Sequence, residues 1–388
     1  LLPSFCLQIQ STASSDSPLM KPSRLHSLSN LTGSSFSRKL GALVCAGVLG
    51  AAALSAQAAE STWTGSTNGT WDTSTTNWAG PSAFVGGNDA LFTGSPAPTN
   101  ATVTQASTLT IGKITLDSTF TGMVTLSAAN TVNGATLINS GTLALVNATA
   151  LGSSAVTVSS PGMLWLKSPS AGLIYANSVS GGGTVKISPG TDTLNMSGDL
   201  SGFTGTLDVF KGPSNWGKLG LTASTQGMTP SASSTIKLES GATVYINQPL
   251  VYNCSVQLNG GATLEPLGNL RLENGATLTG GVTLFANSTI GTNTTTGTIS
   301  GSIGENGGSF GFTKVGAQTL VLTGSNNYSG GTTVSAGTLS VGGNSALGTG
   351  GVTMSNNTIL ASAAAASVAN NFTLGGKNTF TAANGALA

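Results

Sequence analysis

Apolar residues in this chain come in pairs separated by one polar residue, and the pairs recur over most of its length. Across residues 319–354 the pairs in TLVL, TLSV and GVTM are joined by Gly, Ser, Thr and Asn, with no charged side chain. Side chains at i and i+2 share one face of an extended strand, and the residue between them points to the other face. Leu320 and Leu339 stand 19 residues apart, as do Leu322 and Val341. Residues 140–158 align without a gap on 336–354, placing Leu143 on Leu339, Leu151 on Leu347 and Gly152 on Gly348. Looser copies begin GATL or GATV at Gly134, Gly241, Gly261 and Gly275.

Strands this short bury nothing alone, so a unit of about 20 residues must stack on its neighbours. Antiparallel hairpins would join paired strands by two-residue Asn-Gly or Asp-Gly turns, whereas here the gaps are longer and similar strands recur in phase. The pattern therefore predicts an all-β, parallel β-solenoid, with like residues stacked at a spacing of about 4.8 Å. A solenoid region of about 290 residues gives roughly 14 coils. Gly supplies positive φ at the corners, and Asn tolerates it.

Composition sharpens this picture. Charged residues are 6% of the chain, and Gly contributes 55 of 388 positions. Abundant Val, Ile and Thr argue for strands over disorder. Lys21, Arg24, Arg38 and Lys39 lie in the leader; after Ala58 there are nine Lys or Arg against eleven Asp or Glu. With no basic patch, nucleic acid is not an expected partner.

The N-terminal region reads as a targeting segment. Arg38 and Lys39 precede an apolar run, Leu40 to Leu54, and then Ala56-Gln57-Ala58. This is the form of a secretory signal peptide cleaved after Ala58, with Met20 as the expected start. The run is shorter than the ~20 residues that span a bilayer. The expected organisation is a leader at 1–58, a Trp-rich N-terminal capping segment at 59–100 and solenoid repeats at 101–388. Cys6 and Cys45 leave with the leader, so Cys254 has no intrachain partner in the mature chain.

Residues 313–352 resemble the autotransporter-associated β-strand repeat of bacterial passenger domains. The motif residues present include Lys314, Gly316, Leu320, Leu322, Asn326, Tyr328, Gly330, Gly331, Val334, Gly337, Leu339, Leu347 and Gly348. The stretches 140–158 and 184–209 are partial copies, and residues 61–78 with 86–94 resemble the opening segment of large proteins of this kind. The resemblance implies a right-handed parallel β-helix, export, and a place at the cell surface, in the outer membrane or outside the cell. Membrane anchoring is expected only through a C-terminal element outside this sequence.

Candidate chemistry is sparse. His26, the only His, lies in the leader, so a Ser-His-Asp site, a Cys-His site and a His-ligated zinc are not expected. No cofactor or metal is expected, and no catalytic residue is assigned. The function expected is that of an adhesin-like passenger meeting surface glycans or other cells. The first alternative is a β-helix polysaccharide lyase or glycan hydrolase. Its candidate residues are Lys186, Asp192, Asp199, Asp208 and Lys211, of which Asp208 faces outward between Leu207 and Val209. The second is a carbohydrate-binding module in which Trp63, Trp71 and Trp78 stack on sugar rings; the same indoles would otherwise cover the open end of the first coil. Trp165 and Trp216 read as single packing residues.

Overall fold

The computed structural model describes residues 57–168, 173–190, 193–211, 217–225, 227–263 and 265–382. Residues 1–56 of the expected leader, with Met20 and the apolar run, lie outside them, as do Asp192 and Trp216. The described residues from Ala58 onward belong to one compact unit.

That unit is a parallel β-solenoid of about 13 turns. Every pairing between its named strands is parallel. One side of the coil is an 11-stranded sheet running from Thr70–Trp71 to Ile303–Glu305, and a second is a 10-stranded sheet from Leu173–Tyr175 to Phe372–Gly375. The third side is a 6-stranded sheet from Glu60–Thr62 to Val179–Ser180, and, in later coils, a 7-stranded sheet from Val251–Tyr252 to Thr379–Ala382. Both of these occupy the same position in the coil. Thr136–Ile138 leads directly into Thr142–Leu145 of the 11-stranded sheet, and Thr277–Leu278 leads likewise into Val282–Leu284.

The expected stacking is present residue for residue. Leu320 pairs with Leu339 and Leu322 with Val341, and all four are buried. In Thr319–Leu322 and Thr206–Val209, buried and half-buried positions alternate. Corners turn where a side chain would collide. Gly316 has φ +82°, and a Cβ there would lie 2.0 Å from the Thr292 carbonyl oxygen.

The two aligned copies are not on the same side of the coil. Leu143 belongs to the 11-stranded sheet and Leu339 to the 7-stranded one. Unequal coil lengths between them explain this. Phe312 pairs with Thr332, about one repeat away, whereas Thr206 pairs with Thr235 and Val256 with Val282. The extra residues shift the phase of everything that follows.

The motif lysine is interior. Lys314 is fully buried. Its Nζ donates to the carbonyls of Gly316 and Gln318 at 2.6 Å, Ala336 at 3.0 Å and Val315 at 3.2 Å. The last turn of one coil is thus tied to Ala336 of the next. Asn326 accepts from the Ile303 N–H and donates to the Ala346 carbonyl, both at 2.6 Å, spanning three coils.

Candidate functional site

The sugar-stacking expectation for Trp63, Trp71 and Trp78 is corrected by their burial: they are 1%, 0% and 1% exposed. Isolated antiparallel bridges from Trp78 to Trp63 and to Ser82 fold this segment back on itself. The indoles meet edge to face, with centroids 5.2 Å apart for Trp63–Trp78 and 5.4 Å for Trp71–Trp78, and pack on Phe84 and Phe92. The Trp63 Nε1–H donates to the Asn100 carbonyl at 2.8 Å. No ring face is open to a sugar.

The lyase candidates do not converge. Lys186 and Asp208 are partners on adjacent strands of the 11-stranded sheet, and Asp208 pairs in turn with Lys237. Lys237 Nζ lies 3.6 Å from Asp208 Oδ1 and also holds Glu239. Burial raises the Asp208 carboxyl above its ordinary range, against the pull of Lys237. Asp199 sits at a separate turn, accepting from the Ser201 N–H at 2.8 Å. Lys211 reaches instead to the Ala262 carbonyl at 3.3 Å. Among the described residues, no three His, Cys, Asp or Glu are grouped to hold a cation. Cys254 is buried, and burial pushes its thiol up to about 12, so the thiolate is scarce at neutral pH.

A concentration of charge and aromatic surface occupies the middle coils. Lys167, Lys186, Lys211, Lys218, Lys237 and Arg271 are six of the nine cations after Ala58. Strands six or four residues long, Met163–Ser168, Thr184–Pro189, Thr206–Val209 and Thr235–Leu238, stack in register. Their period-2 alternation brings Trp165, Lys186, Asp208, Lys237 and Gln257 into one outward row. Lys167 Nζ is 3.8 Å and Lys186 Nζ 4.4 Å from the Trp165 ring centroid; Lys186 is also 4.4 Å from that of Phe210. Such contacts contribute about 0.5–1 kcal/mol at exposed sites. Trp165 is therefore half-buried on the outer face, under two cations, and not a core packing residue.

The adjacent 10-stranded sheet carries a second cluster. Asn195, Gly220, Tyr245 and Arg271 are stacked partners. The Arg271 guanidinium lies 4.2 Å from the Tyr245 centroid, and its Nε donates to Glu273 at 2.6 Å. Glu265 accepts from Lys218 at 2.9 Å and lies 3.4 Å from Arg271. Glu265 and Glu273 are buried. This cluster is closed on itself, each cation held by a carboxylate. Lys167 and Lys186, by contrast, have no ion pair among the described residues. The long coils add segments after Val209 and Leu258 at the corner between these two sheets, joined by the Lys211–Ala262 contact.

Comparison with known proteins agrees with this architecture. The passenger-associated-transport-repeat model matches residues 121–145 and 312–341. The chain is also 35% identical over 113 residues to the adhesin BmaC autotransporter of Brucella suis biovar 1 (strain 1330). The chain carries autotransporter passenger repeats. Both repeat matches end on a strand with a buried pair, Leu143 and Leu145 in one and Leu339 and Val341 in the other. The matched stretch is 29% of the passenger and 3% of the adhesin's length, so the passenger spans a small part of that relative. No solved structure matches it. Passengers of this kind are exported to the cell surface or the extracellular space. Among the described residues, no helix is long and apolar enough to cross a membrane, which says nothing of a β-barrel.

Proposed function

We propose that this passenger is an adhesin-like rod segment that binds surface glycans or other cells through the open outer faces of its sheets and has no catalytic site. Export through a signal peptide cleaved after Ala58, and display at the outer membrane, belong to the same reading. The observation that carries it is the outward row from Trp165 to Gln257. Its charged and aromatic groups are spread along a sheet face, as surface contact requires, and its one carboxylate at the centre is engaged by Lys237. The kinship to an autotransporter adhesin supports it further.

The test is to display the chain on a non-adherent bacterium and count cells retained on cultured monolayers. Retention above the empty display vector is expected, with no unsaturated product from polygalacturonate and Ca²⁺. Retention equal to the vector, or turnover lost in Asp208→Asn, would overturn the proposal.

A further inference from the structure

The geometry points to an acidic-polysaccharide site on the outer face of the 11-stranded sheet, centred on Trp165 with Lys167, Lys186 and Phe210. The inference rests on the adhesive reading and names its ligand class. Two ammonium groups sit within 4.4 Å of one indole centroid, one of them shared with a second ring. No carboxylate among the described residues is salt-bridged to either. Elsewhere among the middle coils, Lys218, Lys237 and Arg271 are held by Glu265, Glu239 and Glu273. Lys211, the other middle-coil cation without a salt bridge, donates to the Ala262 carbonyl, which leaves Lys167 and Lys186, set over the aromatic rings, for an external anion.

The row also has a suitable repeat. Successive coils advance by about 4.8 Å along the axis, close to the advance of one ring along an extended polysaccharide. A chain laid along the axis meets Trp165, Lys186, Asp208 and Lys237 in turn. Asp208, one coil from Lys186, disfavours a ligand with an anion at every step, such as nucleic acid. It admits a glycan whose carboxylates or sulfates are spaced by uncharged rings. Ser188, the partner of Lys167 on the next strand, adds a hydroxyl that accepts from Trp165 Nε1–H at 3.2 Å.

The full chain is to be titrated with polygalacturonate (carboxylate), heparin (sulfate and carboxylate), dextran (neutral) and polyglutamate (acidic peptide). Intrinsic Trp fluorescence and calorimetry provide the readouts. Binding to one or both acidic glycans is expected, weakening with salt, and the two probes separate carboxylate from sulfate. Lys167→Gln with Lys186→Gln should weaken it about tenfold, and Lys167→Arg with Lys186→Arg should restore it. Trp165→Phe should remove the fluorescence change. Unchanged affinity in the Gln double variant, equal binding of dextran or tighter binding of polyglutamate would overturn the site. If displayed wild type and double variant adhere equally to cells and acidic glycans do not compete, the adhesive reading survives and this site falls. If acidic glycans bind through these lysines while the displayed chain retains no cells, the site stands and the adhesive reading falls.

Discussion

Lys314 shows how a single residue of the repeat is used. A lysine inside an otherwise uncharged strand suggests a surface residue, yet its ammonium is enclosed by four carbonyls. Burial lowers it from 10.5 to about 8, while the carbonyls favour its charged form. Between those values the unfolded chain binds more protons than the folded one, so this residue makes stability rise with pH from about 8 toward 10.5. Lys314→Met removes that titration and leaves the carbonyls without their donor, at a cost of roughly 1–3 kcal/mol at neutral pH. Denaturant unfolding of the two proteins should show a wild-type gain from pH 8 to 10 that the variant lacks. Parallel curves would show that burial does not lower this ammonium in the folded chain.

At the level of the strand, alternation decides which side chains face the core, and register decides which of the others meet. Asp208 was legible as outward-facing from Leu207 and Val209 alone. Its neighbours were not legible, because Lys186 and Lys237 come from the coils on either side. Burial raises the Asp208 carboxyl and Lys237 holds it back. Lys237→Met should therefore move its titration further up, readable from the carboxyl carbon by NMR with Asp208→Asn as the assignment control. A downward move would mean that Lys237 does not lie against it in solution. Trp165 is a similar case. Its place in Met163–Ser168 fixes its face, but the ammonium of Lys186 reaches it only across a strand pairing.

Over the whole solenoid, each coil buries its pair against the coils before and after it, so stability is expected to be local along the axis. The indoles of Trp63, Trp71 and Trp78 fill the interior near the strands that begin the 6-stranded and 11-stranded sheets. Trp71→Ala should cost about 3–5 kcal/mol there and expose strand edges that promote self-association. Hydrogen exchange should quicken near residues 60–92 and stay unchanged at 312–341, with light scattering reporting any oligomer. Loss of protection at both places would show one cooperative unit. The same dependence on neighbours explains why the middle coils stand out. Their longer spacings and their charges coincide at one corner, and inserted segments of repeat proteins often supply the binding face.

The winding, its repeat length and the buried pairs follow from local pattern, since period-2 alternation and corner glycines act within a few residues. The paired Leu320 and Leu339 could be named before any coordinates. Position around the coil is different, because it accumulates every residue gained or lost in the coils between. Only the folded chain could place Leu143 and Leu339 on different sides, decide between the two readings of Trp63, Trp71 and Trp78, and set two lysines over Trp165. Each of these depends on a sum of coil lengths or a closing contact that no short stretch of sequence contains.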